Sequence, residues 1–283
     1  MTMKWKGLTI IPLIFWGITT HAEGEDSLGV IGDNLDLYGV LNAFKEAESV
    51  EAFEKAINDP ESQINNIDLD EDDEVDYIQV IDKPDGDAHA FILRIDMGEN
   101  ESQDVAVVEL EKTGDNNATV QIVGDEEIYG ADYIIEPAEG SSVTKRLMVP
   151  DLVVINVWGW PCVRFVFGPR YSPWASPYHR GHYPVWWKPW HPVRWHVYHA
   201  RVYPHHAYYH RTTVYRANRA HAVYYQHRRT SARVQHHRHY RQTNNHSPQK
   251  APVHNRANHP AAQKTQVNGN PQHRGGNQGG KKR

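Results

Sequence analysis

Between residues 68 and 76 the chain reads DLDEDDEVD, placing seven carboxylates within nine positions with no Lys or Arg among them. Oxygen donors at that density suit a hard cation: calcium takes about six to eight oxygens at roughly 2.3 to 2.6 Å, and Asp at positions 1, 3 and 5 of a tight loop can wrap one ion. Asp68, Asp70 and Asp72 have that spacing. The backbone carbonyl of Glu74 falls at position 7, Val75 at an apolar anchoring position, and Asp76 at position 9, where it can bind directly or through water. The competing reading is a solvated acidic turn. Like charges about 4 Å apart repel by roughly 1 kcal/mol per pair even in water, so a bound cation relieves what solvent does not.

The D-x-D-x-D-x-x-V-D series is similar to calcium loops of EF-hands, dockerins and integrin-type propellers. It departs from the EF-hand at Asp73, where the sharp turn prefers Gly, and at Gln79, where a bidentate Glu closes the site. A loop that enters a β-strand, with Asp76 completing the shell, is the nearer likeness. The affinity expected of such a site is in the weak extracellular range, about 0.1 to 1 mM.

Elements of an α+β domain surround the loop. Leu37, Leu41 and Phe44 recur at helical spacing and predict a helix near 34–47; Ser49 is an N-cap for a second, VEAFEKAIND, with Val50, Phe53 and Ile57 on one face. These form a helical hairpin. After the acidic cluster the period becomes two, and DYIQVID, AHAFILRID, QDVAVVELEK and ATVQIVG predict strands joined by the turn residues of KPDGD and TGDNN. An antiparallel meander with one face covered by the helices follows.

Charge divides the chain. All 35 Asp and Glu lie between Glu23 and Asp151, with seven Lys and Arg; beyond Asp151 there are 21 Lys and Arg, 17 His and no acid. The net charge of -5 conceals an acidic half joined to a basic one. The basic half opens with LVVINVWGWPCVRFVFG, which predicts a β-hairpin with Cys162 as a small strand residue. It continues through a Pro- and Trp-rich stretch, expected to be extended to about Pro204, into a His-, Arg- and Tyr-rich section expected to be mostly disordered over 205–283, with a helix as an alternative for its first part. The resulting division is 1–22, 23–150, 151–204 and 205–283.

Residues 1–22 read as a secretory signal peptide: Lys4 and Lys6, then LTIIPLIFWGI, then a small-residue cleavage site after Ala22. Export to the periplasm, outer envelope or medium is expected, with no transmembrane helix in the mature chain. The lone Cys162 excludes an internal disulfide framework and a cysteine-based zinc site.

The acidic half, from LDLYGVLNAFKEAESVEAFEKAINDP through NNIDLDEDDEVDYIQVID to QIVGDEEIYGADYIIEP, resembles a family of exported bacterial proteins that carry a Trp-, Tyr-, His- and Pro-rich tail. The resemblance implies export and a shared domain, and carries over no catalytic residue.

Basic residues interleaved with aromatics suit polyanions: anionic polysaccharide, lipopolysaccharide, released DNA, an anionic membrane surface, or the acidic half of the same chain. The pairs His179 and His182, His196 and His199, and His206 and His210 have spacings that could chelate zinc, copper or nickel, which makes a metal-binding or metal-buffering protein the alternative. No nucleophile elbow, phosphate loop or H-E-x-x-H occurs, and the adjacent Glu126 and Glu127 have no sign of an acid/base pair. A non-enzymatic binding protein is the expectation, with an unrecognised hydrolase as a further alternative.

Overall fold

The computed structural model describes residues 31–98, 100–138 and 154–244. The signal-peptide reading and the chain after 244 therefore lie outside the described residues. After a 3-10 turn at Ile31–Asn34 come α1 (Leu37–Glu46) and α2 (Val50–Ile57), then strands β1 (Ile78–Asp85), β2 (Ala88–Gly98), β3 (Glu101–Gly114) and β4 (Asn117–Gly124). A short α3 (Glu126–Tyr129) leads to β5 (Ile134–Pro137). The basic half contributes α4 (Pro161–Val166), α5 (Trp195–Val202), a 3-10 turn (Tyr203–Tyr208), β6 (Tyr209–Thr212), α6 (Asn218–His227) and α7 (Ala232–Asn244).

The expected helical hairpin is present and begins at side-chain caps. Asp36 accepts from the Gly39 N–H at 2.8 Å and Ser49 from the Ala52 N–H at 3.1 Å, each satisfying an amide that the first helical turn leaves unpaired. The four predicted strands form an antiparallel meander that continues through β5 to β6, in the order β1-β2-β3-β4-β5-β6. The register runs from Ile78 opposite Ile95 at one end of the first hairpin to Asp85 opposite Ala88 at the other. The sixth strand comes from the basic half, with Glu136 opposite His210 and Ile134 opposite Thr212.

One face of this sheet packs on α1, α2 and α4, where Leu41, Phe44, Phe53, Phe91, Val108 and Val163 are fully buried in one cluster. The expectation of a single covered face is corrected by the opposite side, where Ala90, Ile92, Val107, Val123 and Ile134 meet Val223 and Tyr224 of α6. Both faces of β2 and β3 are buried, because their centres, AFILRI and VAVVEL, are continuous apolar runs rather than strict alternations.

Two further expectations are corrected in the basic half. Of the predicted hairpin, the described residues 154–168 form no strand: residues 154–157 are irregular, and α4 starts at Pro161. Proline at the first helical position has its φ already set and lacks an N–H that would have no partner there. Cys162, Val163 and Val166 then turn into the core, so Cys162 is a buried helical residue. Burial pushes its thiol up to about 12, away from thiolate chemistry. Residues 195–202 are helical rather than extended, and residues 205–244 are ordered into a 3-10 turn, β6, α6 and α7.

The basic half is ordered without an aliphatic core of its own because it is fastened to the acidic half. Asp125, fully buried, receives Arg228 Nε at 2.6 Å and the Tyr224 hydroxyl at 2.8 Å. Glu136 receives Arg216 through both Nε (2.7 Å) and Nη2 (3.0 Å), with His210 at 3.0 Å. Buried Glu54 accepts from Tyr77, Trp174 and Ser176 side chains and from the Val80 N–H. The outer edge of β1 is covered as well: the Asp82 N–H donates to the Trp174 carbonyl at 2.7 Å and the Ser176 N–H to the Val80 carbonyl at 3.0 Å. A Pro-rich segment at a sheet edge removes the row of open amides that would otherwise pair with another chain.

Two consequences can be measured by urea unfolding of the full chain. Arg228→Ala leaves the Asp125 carboxylate buried without its cation and should cost about 3 to 5 kcal/mol. For Glu136, burial opposes ionisation, but His210, Arg216 and Gln121 outweigh it and hold the carboxyl at about 2, below its ordinary 4.5. A carboxyl depressed in the fold adds stability above its unfolded pKa and loses it as pH falls through the folded value. The stability gap between wild type and Glu136→Gln should therefore shrink between pH 5 and pH 2.

Candidate cation site

The acidic loop links Ile67 to β1 and is turned by backbone as much as by side chains. Asp68 caps it: its Oδ1 accepts from the Glu71 N–H at 2.8 Å and the Asp72 N–H at 3.3 Å, and its Oδ2 from the Asp73 N–H at 3.1 Å. Asp76 closes it, its Oδ2 accepting from the Leu69 N–H at 2.6 Å while its own N–H donates to the Ile67 carbonyl at 2.8 Å. Val75, 1% exposed, anchors the loop in the interior, and β1 begins two residues after Asp76. A loop entering a strand is thus what the chain forms. Asp73 stands at φ +65°, the left-handed conformation for which a calcium loop uses Gly, and Glu71 at +61° is left-handed too.

Donor oxygens of Asp68, Asp70 and Asp76 lie within 4.8 Å of one another, the one such group of three His, Cys, Asp or Glu among the described residues. Asp72, proposed as a fourth ligand, instead accepts from the Glu74 N–H at 3.0 Å and is half-exposed. The Glu74 side chain is exposed. Gln79 lies in β1 and donates to the Tyr178 carbonyl at 2.7 Å, away from the loop.

Within the triad, Asp70 is distinctive. Its side chain is 4% exposed, and its Oδ1 is buried with no hydrogen-bond partner. A buried anionic oxygen without a donor costs more than a net hydrogen bond returns. Asp76 carries the same strain: burial, reinforced by the charges of Asp70, Asp68 and Asp72 and opposed by the Leu69 N–H, pushes its carboxyl up to about 7. Burial also raises Asp68.

The second wall of the site comes from the basic half. Arg180 Nη1 contacts Asp70 Oδ2, and Nη2 lies 3.9 Å from Asp72. Arg180 sits at the tip of a turn in which the backbones of His179 and His182 pair in both directions (3.1 and 2.8 Å) and Gly181 takes φ +78°. His191 Nδ1 lies 2.7 Å from the Asp73 carbonyl oxygen, and the Val75 N–H donates to the Trp190 carbonyl at 2.8 Å. Arg180, Trp190 and His191 escaped sequence reasoning because they are more than a hundred residues from the loop in the chain; the one signal was the opposite charge of the two halves.

The histidine pairs proposed for zinc, copper or nickel separate into other duties. His179 and His182 stack at 5.2 Å across their turn. His196 is exposed, while His199 stacks on Trp195 at 4.8 Å. His206 stacks on Tyr38 at 3.9 Å with Nε2 2.7 Å from Asp36, and His210 faces Glu136. Glu126 and Glu127 are taken by Arg228 and Arg238, each at 2.8 Å.

Compared with known proteins, the chain matches no family model, no curated protein and no solved structure.

The backbone at position 73 supplies a direct test. Asp73→Gly removes both a left-handed side chain and one of the clustered charges, and should raise stability in ion-free buffer by about 0.5 to 1 kcal/mol. Asp73→Val, branched at the same φ, should lower it by more than about 1 kcal/mol. Thermal melts of both variants check the pair.

Proposed function

We propose that this chain is an exported, non-enzymatic binding protein whose acidic loop holds calcium as structural cement. The observation that carries this reading is the convergence of Asp68, Asp70 and Asp76 around the partnerless, buried Asp70 Oδ1. Carboxylates alone, with no sulfur or imidazole in the triad, favour a hard cation over zinc or copper. Half-exposed Asp72 and water would complete the shell. The transition-metal alternative has less support, since none of its histidine pairs gains a third donor among the described residues.

A second part of the proposal concerns the surface. Arg164, Arg170, Lys188, Arg194 and Arg201 are exposed on the basic half, on the same segment as exposed Trp186 and Tyr183. They support binding to anionic envelope or matrix polymers. No described helix is long and apolar enough to cross a membrane.

Calcium titration of the full chain by calorimetry and thermal melting tests the first part. At about ten times the dissociation constant, binding should add about 1.4 kcal/mol and raise Tm by a few degrees. The Asp68→Asn/Asp70→Asn/Asp76→Asn variant should lose the response; wild type and Arg180→Ala both indifferent to 10 mM calcium would sink the cation reading. The second part requires retention on immobilised lipopolysaccharide or acidic polysaccharide to fall steeply with salt, and retention that ignores salt would remove it.

A further inference from the structure

We propose that Arg180 is a built-in competitor for the cation, so that ion binding is an exchange of guanidinium for metal coupled to movement of the aromatic loop that carries it; this rests on the calcium reading of the acidic loop. Arg180 contacts Asp70, whose side chain is almost wholly buried, and it arrives from a segment 110 residues away. Its own side chain is 42% exposed, so it reaches in from the surface and has solvent to return to. A metal on Asp70 Oδ1 and a guanidinium on Oδ2 of the same carboxylate would place two positive charges on one group, so each weakens the hold of the other.

The geometry links that exchange to the rest of the loop. Arg180 is at the apex of the His179–His182 turn, and its N–H donates to Asp96 at 3.2 Å. The far end of the same segment is tied to the acidic loop through Trp190 and His191. Between these ties stand Tyr183, Val185, Trp186 and Trp187: Val185 is 99% exposed, Trp186 and Tyr183 are part-exposed, and Trp187 is buried with its indole N–H lacking a hydrogen-bond partner. Withdrawal of the Arg180 side chain removes one tie at the near end of this aromatic span, leaving the backbone contact to Asp96 there and the Trp190 tie at the far end. Competition of this kind lowers apparent affinity by the fraction of molecules in which the arginine occupies the site. The arginine also neutralises part of the cluster when no ion is present.

Calcium titrations of the full chain as wild type, Arg180→Ala and Arg180→Gln, by calorimetry and tryptophan fluorescence, decide the point. Exchange requires both variants to bind calcium more tightly, by roughly fivefold for an ion pair that is part-exposed. It also requires them to be less stable than wild type without calcium, and to show a smaller calcium-induced fluorescence change. Calcium binding to the variants alone, with wild type silent, would mean that the arginine dominates and also supports the exchange. Equal or weaker binding by the variants, with wild type binding, would overturn the exchange and leave the calcium reading intact. No binding by any of the three would overturn both.

Discussion

Carboxylates buried in or against the sheet can stay in the interior only because donors from the other half of the chain reach them. Asp125, Glu136, Glu54 and Asp104 are each at most 4% exposed, and each would lose the hydration of an ion if left alone. Asp104 is held by Arg94 at 2.5 Å from within the sheet and by the Arg229 N–H at 2.8 Å from the basic half. Asp125 and Arg228 are 103 residues apart in sequence, and Glu136 and Arg216 are 80. The opposite charges of the two halves are therefore a folding device as well as a surface property. A segment with no Leu, Ile or Met after Ile155 becomes ordered with the help of hydrogen bonds from its arginines, tyrosines and tryptophans to anions that the first half buries.

The same constraint shapes the partner question. Arg216, Arg228 and Arg238 and the histidines that face Asp36, Glu136 and Glu109 are committed within the molecule. Fewer cations remain for an external polyanion than the composition of the basic half implies. Among the described residues, exposed Lys188 and Arg194 lie on the Pro- and Trp-rich segment, where proline limits the chain's freedom and rings are held against one another, as Tyr183 is on Trp187 at 4.5 Å. Any external anion would meet a surface that folding has already organised.

The acidic loop sits where both themes meet. Its charges are drawn inward by Val75 and by the two backbone caps, and it receives Arg180 from the basic half in close contact. The remaining imbalance is concentrated on Asp70 and Asp76, the first with an oxygen lacking a donor and the second with a raised pKa. Oxygens turned to water would relieve that imbalance. Instead, the fold holds them next to one another.

Sequence by itself determined the parts whose causes are local. Helical spacing and caps placed α1 and α2, period-two patterning and turn residues placed β1 to β4, and the Asp spacing marked the loop, because backbone geometry repeats over a few residues and leaves its period in the chain. The left-handed backbone at Asp73 was legible for the same reason. Tertiary structure decided which acids converge, turning Asp72 aside and bringing Asp76 in; it covered the second face of the sheet with α6, made a helix of the segment after Pro161, and brought Arg180 to Asp70. The last of these and the cover by α6 depend on contacts between residues about a hundred positions apart, whose energy comes from burial and charge pairing in three dimensions. No local period records them, and composition alone could show only that each half carried the charge the other lacked.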